Sequence, residues 1–164
     1  MNKIPYFPIS QFYLRRFGEK VHKIPVSVVD ECPNRMGLKG METCVFCDEW
    51  GSAAYPHTRE KSLVEQVAEN KKIIQKRFKA KKFLIYFQAY TNTFTRLGLL
   101  REMVDTALLQ EGVVGVVFGT RPDCLSKGVL DYWRELSTQT FVSVELGVQS
   151  FEERHLVFMK RGHT

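Results

Sequence analysis

The stretch that decides the character of this chain is residues 32–47, Cys-Pro-Asn-Arg-Met-Gly-Leu-Lys-Gly-Met-Glu-Thr-Cys-Val-Phe-Cys. Cys32, Cys44 and Cys47 share this stretch with the spacing C-x11-C-x2-C. Two glycines in the long first gap let the chain fold back, so Cys32 can reach the same centre as the other two. Thiolates are the usual ligands of iron–sulfur clusters and of structural zinc. Three thiolates on a four-iron cluster would leave one iron open to a substrate or cofactor.

The same cysteines leave other interpretations open. Structural zinc prefers four protein ligands, so a zinc site would need His57 or Cys124 as its fourth ligand. A disulfide would suit an exported protein, and the first twelve residues do not match a signal peptide because two prolines interrupt their apolar run. We therefore expect the cytoplasm, where thiols stay reduced and clusters can be assembled.

Composition and charge favour a globular protein with a polyanionic partner. The chain has 164 residues, of which 44% are hydrophobic, and reads as one domain or part of one. No apolar run is long enough to span a membrane. The net charge is +6, which fits a phosphate-bearing partner such as tRNA, although a solvated helix face is an alternative explanation. The basic residues cluster at Arg15, Arg16, Lys20 and Lys23, and at Lys71, Lys72, Lys76, Arg77, Lys79, Lys81 and Lys82.

Periodicity predicts an α/β fold. Residues 1–23 read as an irregular lead-in whose aromatic side chains serve as packing anchors, and residues 24–164 read as alternating strands and helices. The predicted strands are residues 24–30, 83–88, 113–118 and 141–148. A capping box at Ser62 begins the first predicted helix, a second covers residues 95–110, a third runs from Ser126 to about residue 136, and a fourth begins near Phe151.

Polar segments follow each predicted strand. Strand–helix alternation implies parallel strands, and in such sheets function gathers at the carboxyl ends of the strands. The polar segments are the cysteine stretch, residues 88–93, residues 120–123 and residues 145–150. Their common placement at one edge of the sheet predicts an active site there.

The motifs resemble those of radical S-adenosylmethionine (SAM) proteins, in particular the YhcC-like or YtqA-like branch related to the catalytic subunit of Elongator. The resemblance covers nearly the whole chain after residue 11. It is carried by Lys20-Val21-His22-Lys23, Cys32-Pro33-Asn34-Arg35, Cys44-Val45-Phe46-Cys47, Tyr86-Phe87-Gln88-Ala89-Tyr90-Thr91-Asn92-Thr93, Gly119-Thr120-Arg121-Pro122-Asp123, Glu145-Leu146-Gly147-Val148-Gln149-Ser150 and Arg161-Gly162-His163-Thr164.

The resemblance implies a partial (βα) barrel of the radical SAM type. Family members have about six strand–helix units, whereas about four are present here, so we expect residues 24–164 to be the N-terminal portion of a longer core. The missing C-terminal part of the barrel would then be a partner of this chain. The first cysteine gap is also longer than the common C-x3-C-x2-C form.

The resemblance further implies a 4Fe–4S cluster held by Cys32, Cys44 and Cys47, with SAM chelated by the fourth iron. An electron from a donor such as flavodoxin or ferredoxin would cleave SAM to methionine and a 5′-deoxyadenosyl radical, which abstracts a substrate hydrogen. Related sequences point to modification of the tRNA wobble uridine.

Residue roles toward SAM follow from the same resemblance. Phe46 would pack near the cluster and adenine. Residues 88–93 lie where relatives bind the methionine amino group, which marks Gln88, Tyr90 and Thr91. Glu145 would contact the ribose hydroxyls or the methionyl end of SAM. The weaker candidates are Gln149 for the cofactor and Arg121 for catalysis.

Each assignment has a structural alternative. Glu145 could be an ion-pair partner, Arg121 could tie down a turn, and Gln149 could belong to a helix cap. For the whole chain, the alternatives are a zinc-binding RNA-interaction module and an inactive remnant.

Overall fold

Strands and helices alternate along the chain. A computed structural model describes residues 5–164. The strands are β1 (Val21–Val26), β2 (Lys82–Phe87), β3 (Val113–Thr120) and β4 (Phe141–Leu146). The helices are α1 (Ile9–Phe17), α2 (Leu63–Phe78), α3 (Leu97–Leu108), α4 (Lys127–Leu136) and α5 (Glu153–Phe158). The predicted α/β fold is confirmed.

The four strands form one sheet in the order β1-β2-β3-β4, and every neighbouring pair is parallel. Val26 lies opposite Phe87, Phe87 lies opposite Phe118, and Gly119 lies opposite Glu145. The register therefore brings the carboxyl ends of all four strands to one edge. The polar segments that follow the strands begin at that edge.

The main hydrophobic core lies between the sheet and helices α2, α3 and α4. Phe87 and Phe118 stack with ring centroids 5.3 Å apart, and Trp133 of α4 stacks on Phe118 at 5.0 Å. Phe87 and Phe118 are fully buried. Because side chains alternate between the two faces of a strand, the residues between these core positions point to the opposite, inner face of the sheet.

Helix α1 covers the inner face near the start of the strands, so the predicted irregular lead-in is wrong for residues 9–17. Tyr13 and Phe17 are four residues apart, which puts them on one side of the helix. Both rings meet Phe141 edge-on, at 6.2 and 5.3 Å between centroids. Tyr6 and Phe7 are exposed rather than packed. Residues 1–4 of the predicted lead-in lie outside the described residues.

The first strand is β1, and it differs from the predicted span because the chain leaves the ladder after Val26. Gln66 of α2 is buried and binds the backbone of Ser27 on both sides, accepting from its amide at 2.8 Å and donating to its carbonyl at 2.8 Å. Ser27 therefore pairs with a side chain instead of a strand. Pro25 is tolerated because β1 is an edge strand.

The predicted helices are present with small differences in their ends. The capping box at Ser62 is formed, with Glu65 as its partner. Helix α3 begins two residues later than predicted because Asn92–Phe94 form a separate short turn. Within residues 5–164, no helix combines the length and apolar character needed to cross a membrane.

Candidate active site

A cavity of about 290 Å³ opens at the carboxyl edge of the sheet. It is bounded by the cysteine stretch and by the segments that follow β2, β3 and β4. Residues far apart in sequence meet there because parallel strands bring their carboxyl ends together. The structure brings all the predicted site residues into its wall, namely Cys32, Cys44, Phe46, Cys47, Gln88, Tyr90, Thr91, Arg121, Glu145 and Gln149.

Three free thiols line this cavity. Cys32 and Cys44 are buried and Cys47 is partly buried. In the described part of the chain, no three His, Cys, Asp or Glu side chains converge on a single metal ion. The thiolate ligands of a four-iron cluster bind different iron atoms, so they surround the cluster and do not converge on one ion. Three thiols around one cavity suit such a group. His57, the alternative zinc ligand, lines a different cavity.

Asn34 is the hub of the cysteine loop, by which we mean residues 32–51, and it was not predicted as a site residue. Its side chain is buried, with 3% of the residue exposed. The amide nitrogen donates to the carbonyls of Glu42 and Lys160, both at 2.6 Å. Its amide oxygen accepts from Arg121. Asn34 therefore joins the cysteine loop to the segment after β3 and to the end of the chain.

Arg121 is more than a turn residue, because its guanidinium reaches the cavity wall. It donates to both carboxylate oxygens of Asp123, at 2.9 and 2.7 Å, and its Nη1 lies 3.9 Å from the Cys32 sulfur. Burial opposes the charge of Arg121, but the Asp123 carboxylate outweighs burial and raises the pKa of the guanidinium. Arg121 thus places a charged guanidinium beside Cys32, with the Asp123 carboxylate balancing much of its charge.

The Cys32 thiol ionises more readily than an ordinary cysteine. Burial works against the thiolate, yet a hydrogen bond from Thr91, the backbone amides of Asn34 and Arg35 and the charge of Arg121 together lower the pKa of Cys32. The Thr91 hydroxyl is itself buried and has no oxygen or nitrogen partner in the described chain. The Thr91 hydroxyl therefore lies beside the Cys32 thiol in the wall of the same cavity.

Glu145 forms an ion pair with Lys23 across the inner face of the sheet. The Lys23 ammonium also lies 4.6 Å from the centre of the Tyr86 ring. Burial, together with the hydrogen bond to Glu145, raises the pKa of Tyr86. The ion pair is the structural alternative considered for Glu145, and both Glu145 and Tyr86 nevertheless line the cavity. The carboxylate is therefore held in place while remaining accessible to a ligand.

Tyr90 holds the end of the cysteine loop. Its hydroxyl donates to the Glu49 carbonyl at 2.9 Å and its amide donates to the Gly51 carbonyl at 3.0 Å. A Cβ on Gly51 would lie 2.8 Å from the Tyr90 ring, so glycine permits this close contact. The Arg35 and Arg59 guanidiniums lie 5.3 and 5.1 Å from the ring centre. In this structure Tyr90 contacts the protein itself, and its predicted role toward a cofactor stays a prediction.

The end of the chain returns to the cysteine loop. The Val45 amide donates to the Met159 carbonyl at 3.3 Å. Arg161 donates to the Gly147 carbonyl at 2.8 Å, and its Nη1 lies 3.5 Å from the Cys44 sulfur. Asn34, Arg35 and Arg161 belong to motifs that carried the resemblance, which was the available signal for them.

The cavity lies within a stretch that matches a family model. The model of the Radical SAM superfamily matches residues 26–164. The chain belongs to the radical SAM superfamily. The matched stretch of this radical SAM chain begins at the last residue of β1 and contains the three cysteines and every other predicted site residue.

The relatives of this radical SAM chain include proteins without an assigned function. It is 36% identical over 158 residues to "Uncharacterized protein YtqA" of Bacillus subtilis, covering 96% of this chain and 49% of that protein. It is 40% identical over 150 residues to "Protein YhcC" of Escherichia coli K12, covering 91% of this chain and 47% of that protein. The chain thus spans about half the length of these curated relatives.

Proposed function

We propose that this radical SAM chain binds a 4Fe–4S cluster on Cys32, Cys44 and Cys47 and binds SAM in the adjoining cavity. The observation that carries the proposal is the single cavity lined by three free thiols and by the polar ends of β2, β3 and β4. Thiolates supply the ligands of such clusters, and the carboxyl edge of a parallel sheet is the usual place for a cofactor.

The thiols must lose their protons before they bind iron. Burial opposes this ionisation at Cys32, but the Thr91 hydroxyl, nearby backbone amides and Arg121 outweigh burial and lower its pKa. The protein therefore favours ionisation of one of its three ligands over that of an ordinary cysteine. When bound, the cluster and SAM supply reductive cleavage of SAM to methionine and a 5′-deoxyadenosyl radical, using one electron from a flavodoxin- or ferredoxin-type donor.

The other cavity residues have properties that suit SAM. Glu145 offers carboxylate oxygens that accept hydrogen bonds from ribose hydroxyls or from an amino group. The Thr91 hydroxyl has one hydrogen to direct at Cys32, and no nitrogen or oxygen of the described chain donates to its lone pairs, so a donor group of a ligand would bind there. Gln88 and Gln149 add amide groups to the wall, and Phe46 adds an aromatic ring next to Cys47.

We further propose that the substrate is an RNA, with the tRNA wobble uridine as the specific candidate. The support is the net charge of +6, because clustered cations favour a polyanion. Two exposed members of the second basic cluster lie near the start of β2: Lys76 is in the last turn of α2, and Lys79 lies between α2 and β2. They therefore lie at the edge of the sheet opposite to the cavity, and would bind phosphates about 20 Å from it, the length of a six-residue strand.

Further strand–helix units are proposed to continue from β4 in the complete protein. The relatives are about twice as long as the matched stretch. In residues 5–164, β4 pairs with β3 alone, so its outer edge has unpaired backbone groups that an additional strand would satisfy.

Anaerobic reconstitution tests the proposal. We expect about four irons per chain with matching labile sulfide, and formation of methionine and 5′-deoxyadenosine from SAM under a strong reductant. Replacing Cys32, Cys44 or Cys47 with Ala is expected to abolish the cluster. Cys124→Ala is the matched control, because Cys124 lies outside the cavity wall. Loss of the cluster in Cys124→Ala but not in Cys44→Ala would contradict the ligand assignment, and zinc in place of iron would contradict the proposed function.

A further inference from the structure

Each of the three cavity cysteines faces a different arginine. The Nη1 atom of each arginine approaches one sulfur, and no arginine is shared between two cysteines. The pairs and their N–S distances are Arg35 with Cys47 at 3.6 Å, Arg121 with Cys32 at 3.9 Å, and Arg161 with Cys44 at 3.5 Å. The three arginines come from the cysteine loop, from the segment after β3 and from the end of the chain, so only the folded protein assembles this set.

Other contacts hold the arginines in these positions. Arg35 donates to the Asp48 carbonyl at 2.7 Å and lies over the Tyr90 ring. Arg161 donates to the Gly147 carbonyl at 2.8 Å and lies 5.8 Å from the centre of the Phe46 ring. A guanidinium offers five donors in a rigid fork, so it can bind a carbonyl and face a sulfur at the same time.

The three arginines differ in whether a carboxylate balances their positive charge. Arg121 forms an ion pair with Asp123, so its positive charge is largely balanced. Arg35 and Arg161 bind carbonyl oxygens, and in the described part of the chain neither forms an ion pair with a carboxylate. Two of the three cysteine ligands therefore lie beside an unbalanced positive charge, while Cys32 lies beside a nearly neutral pair.

We infer that Arg35 and Arg161 raise the reduction potential of the cluster held by Cys47 and Cys44, with Arg121 contributing less. This inference rests on the proposed function. Net charge and hydrogen bonds to the sulfurs are among the factors that set the potential of an iron–sulfur cluster. Adding one electron makes the cluster more negative, so a nearby guanidinium stabilises the reduced form more than the oxidised form.

The test is an anaerobic redox titration of the reconstituted chain, in which the electron paramagnetic resonance signal of the reduced cluster measures the fraction reduced. Arg161→Gln and Arg35→Gln remove a charge, whereas Arg161→Lys keeps it. At a fixed potential we expect each Gln variant to lower the ratio of reduced to oxidised cluster about tenfold, equivalent to about 59 mV for a one-electron couple. Arg161→Lys is expected to retain most of the parent ratio, and Arg121→Gln to shift it less than Arg161→Gln.

Arg134→Gln is the matched control, because Arg134 is exposed on α4 and bonds to Asp131 there. Parent-like ratios in Arg35→Gln and Arg161→Gln, or an equal shift in Arg134→Gln, would overturn the inference. If either Arg35→Gln or Arg161→Gln does not hold a cluster, the ratio of reduced to oxidised cluster in the other variant decides the inference. If neither does, the inference is overturned, because the arginines are then needed to build the site and not to tune it. A parent chain without a cluster would instead contradict the proposed function.

Discussion

Replacing Asn34 with Ala is expected to loosen the whole cysteine loop. The change removes the two 2.6 Å bonds to the Glu42 and Lys160 carbonyls and the acceptor of Arg121. Each buried group left without a partner costs about 1–3 kcal/mol. Water can reach part of the loop, so we expect a total loss of about 2–4 kcal/mol in the free energy of unfolding. This is a large fraction of the stability of a typical domain.

Urea denaturation of the cluster-free chain at low concentration measures this loss. With a urea slope of about 2 kcal/mol/M, the midpoint is expected to fall by about 1–2 M while the slope stays constant. Asn34→Asp keeps an acceptor for Arg121 but loses both donated bonds, so its midpoint is expected between those of Asn34→Ala and the parent. Gln139→Ala is the control, because Gln139 is exposed after α4 and such a change costs within about 0.5 kcal/mol.

Hydrogen exchange separates loosening of the loop from a general loss of stability. The amides of Met36 and Leu38 bond to the carbonyls of Cys32 and Pro33 within the loop. Under native conditions they are expected to exchange faster in Asn34→Ala than in the parent, while the central amides of β2 keep their protection. A midpoint like that of Gln139→Ala, with unchanged exchange in the loop, would refute the role of Asn34 as the hub.

Three further predictions follow from the cavity, the packing and the sheet edge. Glu145→Ala is expected to weaken SAM binding by about ten- to hundredfold, because one charged hydrogen bond contributes about 1.5–3 kcal/mol. Calorimetry measures the SAM affinity, and an unchanged cluster spectrum is the control. A parent-like affinity would exclude a role of Glu145 in SAM binding. Gly162→Ala would place a Cβ 2.1 Å from the Met41 sulfur, which can move aside, and 2.9 Å from Nη2 of the Arg121 guanidinium, which Asp123 and Asn34 hold in place. Because of the Arg121 contact, we expect a loss of about 1–3 kcal/mol in unfolding free energy. Gly98→Ala is the control: its Cβ meets open space in α3, and the free energy of unfolding is expected to rise by up to about 1 kcal/mol. Equal denaturation midpoints for Gly162→Ala and Gly98→Ala would contradict the contact at Gly162. The isolated chain is expected to self-associate, because the free edge of β4 lies close in sequence to exposed apolar side chains. These side chains are Val144, Leu146, Phe151, Val157 and Phe158. A sharp monomer peak in light scattering, together with full SAM-cleaving activity, would disprove this.

The sequence by itself determined the succession of strands and helices along the chain and the sheet edge where the polar segments gather. Buried parallel strands are nearly continuous apolar runs, as in 113–118, and this local signal does not depend on distant residues. Parallel alternation then places every segment that follows a strand at one edge. For this reason residues as distant as Cys32 and Gln149 could be assigned to one cavity without coordinates.

The N-terminal helix and the end of β1 escaped prediction for tertiary reasons. Helix α1 is only nine residues long, so its stability depends on packing against Phe141, which is remote in sequence. The end of β1 depends on Gln66, whose side chain replaces a neighbouring strand. Periodicity reports burial along a segment and contains no information about a side chain that arrives from another element.

Only the tertiary structure decided which side chains pair within the cavity. Lys23 meets Glu145, Arg161 meets Cys44, and Asn34 meets both Arg121 and the Lys160 carbonyl, although these partners lie about a hundred residues apart. Such pairs depend on strand register and on the direction of each long side chain, and many pairings are compatible with the same pattern of strands and helices. The sequence thus specifies which chemical groups reach the edge of the sheet, while packing and electrostatics select the neighbour of each group.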